Sequence, residues 1–148
     1  PVEHLDQILD DDRHLLRILP LSLRQRDGGL EDAQAQRLLA VLTTHVLTML
    51  DEVEGATAHL QVEALSPPLR ARIVRKRDRY ERAVRRMISD GISAGTFVAG
   101  DAALVTRAML GALNWVVTWY RPDGLHAPPH IASEMANYLV RGINKQIS

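Results

Sequence analysis

The sequence predicts an all-α bundle of about six helices, and three observations carry that reading. Apolar residues recur at three- and four-residue spacing along nearly the whole chain. Proline, glycine and capping signals punctuate it at helix-length intervals. No run of alternating β-branched residues marks a sheet. The length, 148 residues, suits one domain with a substantial core.

Each element has a local reason. In residues 2–19, Val2, Leu5, Ile8, Leu9, Leu15, Leu16 and Leu19 keep mostly helical spacing, Pro1 suits a helix start and Pro20 ends it. Asp27-Gly28-Gly29 is a turn, and Glu31 and Asp32 suit the first turn of a second helix. That helix carries Leu38, Leu42, His45, Val46 and Met49 on one face. It breaks or kinks near Glu54-Gly55, and a shorter piece with Ala58, Val62 and Leu65 follows.

Ser66 before Pro67 reads as the N-cap of a long helix whose buried stripe is Leu69, Ile73, Tyr80, Val84, Met87 and Ile88. Gly91-Ile92-Ser93-Ala94-Gly95 ends it. Asp101 caps the most apolar helix, which runs to Tyr120 before the turn Arg121-Pro122-Asp123-Gly124. Pro128-Pro129 opens the last helix, with Ile131, Met135, Tyr138, Leu139, Gly142, Ile143 and Ile147 on one face. Around residues 101–120, Leu104, Val105, Ala108, Met109, Ala112, Leu113, Val116 and Val117 leave nearly no polar side. A dimer partner, or a central place in a monomeric bundle, would cover them.

Composition excludes several functions. The absence of cysteine removes thiolate catalysis and Cys-ligated metal sites, and sits easily with a reducing, cytoplasmic setting. Eighteen Lys and Arg balance eighteen Asp and Glu, a poor composition for stand-alone nucleic-acid binding. The stretch 102–120 is too interrupted by polar residues for a membrane span, and the N-terminus lacks a signal peptide's basic start and apolar stretch. The neutrality hides segregation. Residues 70–86 hold nine basic and two acidic residues, net plus seven, against minus seven over residues 1–69. This helix either binds phosphate groups or is a solvated face paired with the acidic segment.

Arg107, Gly111, Asn114 and Thr118 form a stripe beside Trp115 and Trp119, either a ligand wall or a self-satisfied core. His45 reads as a core residue, and His126 and His130, separated by Ala127-Pro128-Pro129, lack the one-face spacing of a helical metal pair. Neither a nucleophile elbow nor a phosphate loop is present, so neither an enzyme nor a cofactor is expected.

Leu110-Gly111-Ala112-Leu113-Asn114-Trp115, then Trp119-Tyr120-Arg121-Pro122-Asp123-Gly124, with Leu65-Ser66-Pro67-Pro68-Leu69-Arg70, Arg77-Asp78-Arg79-Tyr80-Glu81 and Gly91-Ile92-Ser93-Ala94-Gly95-Thr96-Phe97, closely resembles the C-terminal regulatory domain of TetR-family transcriptional repressors. The likeness is nearest to the branch that controls fatty-acid or steroid breakdown and responds to acyl-CoA thioesters. It implies homodimerisation through the last two long helices, residues 101–120 and 130–146. It also implies release of operator DNA when a small hydrophobic effector enters the bundle. The family's N-terminal helix-turn-helix domain has no counterpart here, so residues 1–19 are expected to be the linker helix from it and 20–148 the effector-binding and dimerisation domain. The chain opens on Pro1, which fits a trimmed initiator or a fragment. The implied pocket draws on His45, Met49, Tyr80, Met87, Asn114, Trp115 and Trp119, with Arg77 and Arg79 as partners for acyl-CoA phosphates. A helical homodimerisation or scaffold protein without a small ligand is the alternative.

Overall fold

A computed structural model describes residues 30–51 and 66–145. The expected first helix at 2–19, the short piece at 58–65 and Ile147 lie outside the described residues. Among the described residues are α1 (Leu30–Asp51), α2 (Pro67–Ser93), α3 (Ala102–Asn114), the single turn α4 (Val116–Trp119) and α5 (Pro128–Ile143). The fold is all-helical; four of these elements are long.

α1 is the axis of the bundle. Residues 38–50 contain no Asp, Glu, Lys or Arg, and Leu38, Leu39, Ala40, Val41 and Leu42 are buried in succession. Burial of consecutive residues requires neighbours on several sides. α1 has them, packing on α2, α3, α4 and most extensively α5. Among the described residues the most enclosed helix is therefore α1 and not the expected 101–120, one side of which is exposed.

Ser66 precedes α2 as expected, but its hydroxyl makes no capping bond. Pro67 and Pro68 occupy the first two helical positions and have no N–H to offer. The buried stripe of α2 is Tyr80, Val84, Ile88 and Gly91. Leu69 is exposed and Ile73 half-buried, because the opening turns of α2 lie outside the core cluster; Met87, near the other end, is half-buried and packs on the cluster's edge.

α2 ends in a tight knot. The Gly91 carbonyl accepts from the backbone N–H of Thr96 (2.9 Å) and of Phe97 (3.1 Å), which folds the Phe97 ring back over Gly91. A Cβ on Gly91 would collide with that ring. Gly95 takes φ +80°, a conformation that favours glycine. Phe97 then bridges to Asn144 beyond α5: Val98 donates to the Ile143 carbonyl at 2.8 Å and Lys145 to the Thr96 carbonyl at 2.9 Å. Thr96 Oγ1 donates to Gln34 Oε1 at 3.2 Å, so the same connection is tied to α1.

Asp101 caps α3, its carboxylate accepting from Ala103 N at 2.8 Å and Leu104 N at 3.2 Å. The single helix expected over 101–120 is divided at Trp115, where Thr118 N–H bonds the Trp115 carbonyl three residues back and tightens the turn. α5 buries Ile131, Ala132, Ala136 and Val140; Tyr138, expected on the inward face, is 80% exposed. Its 3.6-residue period carries position 138 round to the side opposite Ala136 and Val140.

Replacing Gly91 with Ala is expected to cost about 1–3 kcal/mol, because the added methyl overpacks against a ring the core holds in place. Chemical denaturation monitored by circular dichroism checks this; an unchanged midpoint contradicts it.

Candidate functional site

Nearly every inward side chain of α1 is apolar, and His45 is the exception with the most consequence. It is buried, and its Nε2 lies 3.0 Å from Asn114 Oδ1 on the last residue of α3. With Asn114 presenting its carbonyl oxygen, Nε2 carries the proton and donates. The imidazole also stacks on the Tyr80 ring of α2, with centroids 5.2 Å apart and planes at 18°. Three helices thus meet at one polar cluster inside an apolar core. His45, Tyr80 and Asn114 were all named from sequence, and the fold brings them together.

Tyr80 carries the clearest electrostatic signature. It is 9% exposed, and its hydroxyl has no hydrogen-bond partner among the described residues. Burial pushes the phenol well above its ordinary range, because the phenolate would lose its hydration. A buried hydroxyl without a partner costs about 1–3 kcal/mol. An arriving hydrogen-bonding group recovers that cost, so Tyr80 is poised for one.

The remaining expected residues are dispersed. Met49 and Met87 are half-buried; Met87 packs against the core cluster, and Met49 follows His45 by one helical turn. Arg77 and Arg79 are exposed on α2, Arg77 one turn before Tyr80. Trp115 and Trp119 are 63% and 48% exposed, and they stand on the outer side with Leu104, Ala108, Gly111 and Ala112. The polar stripe divides: Arg107, Gly111 and Thr118 face outward, while Asn114 turns in to His45. Arg107 instead approaches Glu81 at 3.9 Å, an exposed pair worth about 0–1 kcal/mol that links α2 and α3 on the solvent side of Tyr80.

One pair escaped sequence reasoning. His126 and His130, expected to stand apart, have ring centroids 4.9 Å from one another. α5 begins only at Pro128, so His126 belongs to the incoming loop, which brings its ring over the first turn. Among the described residues no group of three or more His, Cys, Asp or Glu is placed to hold a metal.

Replacing Tyr80 with Phe is expected to leave the ligand-free chain as stable or up to about 1 kcal/mol more stable, since the stack on His45 remains and the unpartnered hydroxyl goes. The parent carries an alkaline weakness that this variant lacks. The unfolded chain releases the Tyr80 proton near pH 10, whereas the folded chain holds it to higher pH, so stability falls as pH rises beyond about 10. Denaturant midpoints measured across alkaline pH should fall less steeply for the variant; parallel curves would contradict the assignment.

Comparison with known proteins agrees with this architecture. Residues 31–143 match the family described as tetracyclin repressor-like, C-terminal domain. The chain is similar to the crystal structure of a TetR/AcrR-family transcriptional regulator from Thermobifida fusca, with 26% identity and a TM-score of 0.65 over 97% of this chain and 73% of that one. A TetR-family regulatory protein from Rhodococcus RHA1 shares 20% identity and the fold, with a TM-score of 0.71 over 98% of this chain and 70% of that one. The TetR-family regulator PfmR of Thermus thermophilus shares 25% identity, with a TM-score of 0.56 over 97% and 75%. No curated protein matches. No helix among the described residues is long and apolar enough to cross a membrane. The match spans most of the chain, and the chain belongs to the tetracyclin repressor-like C-terminal domain family of transcriptional regulators.

Proposed function

We propose that this is the effector-binding and dimerisation domain of a TetR-like repressor, with the effector's polar group at the cluster of His45, Tyr80 and Asn114. The observation that carries the reading is the Tyr80 hydroxyl, buried and without a partner among the described residues, beside a hydrogen bond that joins α1 to α3. Met49, one helical turn beyond His45, and Met87, half-buried against the core, are adaptable apolar side chains that would accommodate an apolar ligand.

An acyl-CoA thioester fits the division of charge on α2. Its acyl part and carbonyl would lie at the core cluster, and its phosphates on the basic side where Arg77 and Arg79 stand. Trp115 and Trp119 lie away from that position. With Leu104, Ala108, Gly111 and Ala112 they form an apolar, small-residue surface on α3 and α4, which supports a homodimer through the C-terminal helices. In this reading residues 1–19 link residues 20–148 to a DNA-binding head outside this chain, and effector binding releases operator DNA in the cytoplasm.

Titration with long-chain and steroidal CoA thioesters is expected to change tryptophan emission and raise the melting temperature. A ligand at a hundred times its Kd adds about 2.7 kcal/mol to stability, and Tyr80→Phe should weaken binding by about five- to tenfold. Unchanged emission and melting with every thioester removes this ligand class; a chain that binds no apolar ligand at all favours a scaffold role. Light scattering should report twice the 16.5 kDa chain mass at micromolar concentration, and a monomer would contradict the dimer.

A further inference from the structure

We propose that His126 and His130 form a two-histidine site for a divalent transition metal of the copper, nickel or zinc type. The proposal does not depend on the effector reading. Its basis is the spacing of the rings. With metal–nitrogen bonds of about 2.0–2.1 Å, and a ring nitrogen about 1.1 Å from its centroid, two imidazoles on one ion have centroids about 4.5 Å apart at a right angle and about 5.2 Å apart at the tetrahedral angle. The observed 4.9 Å falls between those limits. The planes are tilted by 36°, and both residues are exposed, so the pair is open to an ion arriving from solvent.

The backbone holds this separation. Gly124 N–H bonds the Arg121 carbonyl at 2.9 Å, and a Cβ on Gly124 would stand 2.9 Å from that oxygen. Pro128 and Pro129 then fix the start of α5, and the Ala127 carbonyl accepts from His130 N–H at 3.0 Å and Ile131 N–H at 3.2 Å. The positive end of a helix ordinarily repels a cation. Here the first two helical residues are prolines without N–H groups, which thins the array of donors that creates the positive potential. Glu134 follows His130 by one turn on the same face and adds negative charge there. Since no third protein ligand joins the pair among the described residues, water completes the shell. Neutral imidazole selects copper, nickel and zinc over magnesium and calcium, which take oxygen ligands. Occupancy would clip the loop after α4 to the first turn of α5.

The test is titration of the full chain with Cu(II), followed by calorimetry and electron paramagnetic resonance, with Mg(II) as control. One copper per chain with couplings from two imidazole nitrogens is expected. His126→Ala and His130→Ala should each weaken binding at least about tenfold, with helical circular dichroism unchanged. Zn(II) should raise the melting temperature of the parent but not of the double variant. No copper uptake by the parent overturns the proposal. So does a double variant that keeps the parent's affinity and spectrum, because the copper is then held elsewhere.

Discussion

The hydrogen bond from His45 to Asn114 is the constraint around which this bundle is organised. The 38–50 stretch of α1 is free of Asp, Glu, Lys and Arg, so the buried Nε2 N–H of His45 must find its acceptor on another helix. Asn114, the last residue of α3, supplies the acceptor at 3.0 Å. A bond between residues 69 apart in sequence fixes the depth and rotation of α3 against α1. The Tyr80 ring lies flat against the imidazole and brings α2 into the same arrangement. One polar contact in an apolar core thereby sets three helices relative to one another, where dispersion alone would tolerate small slides.

Charge follows the same geometry. α2 is apolar where it meets the bundle, at Tyr80, Val84 and Ile88, and cationic elsewhere, so the plus seven of residues 70–86 is carried mainly on exposed side chains. The electrostatic field and the buried cluster are therefore two sides of one helix. A ligand with an apolar body and an anionic head can use both without breaking the core. A wholly apolar ligand would gain nothing from the arginines, and a compact anion would gain little from Tyr80.

Much of this was legible in the sequence, and the exceptions have physical causes. Helical period, the Asp101 cap, the glycines at 91 and 95 and the two Pro-Pro starts all act locally, so spacing and residue type reveal them. The cluster of His45, Tyr80 and Asn114 was partly legible, since each is a polar or amphipathic residue on an apolar face. Their meeting was not, because it depends on how three helices are rotated. The central role of α1 was underread: its uncharged stretch marks a helix enclosed on most sides, while Arg107 already placed one side of residues 101–120 in water. Trp115 and Trp119, expected beside the pocket, are 63% and 48% exposed. Aromatic residues beside a polar stripe suit a pocket and an interface equally, and only the rotation of α3 and α4 tells which side they occupy. The approach of His126 to His130 needed the start of α5 to be located at Pro128, which places one histidine before the helix and the other within its first turn.

The division of the 101–120 segment at Trp115 gives the proposed regulation a physical route. Asn114 reaches inward to His45, and the next residue, Trp115, lies on the outer surface with the small residues of α3. An effector group engaging Tyr80, as proposed, would compete for or reinforce the hydrogen bond beside it, and Asn114 is joined directly to the residue at which the turn begins. Adjacent residues thus answer to opposite sides of the same helix. A ligand biases such a turn only by its difference in affinity for the two arrangements. In the proposed reading, a polar group at Tyr80 would supply that difference, because its hydrogen bond would form only where the hydroxyl is presented to it; an apolar body, packing on apolar surface alike in both, would supply affinity without direction.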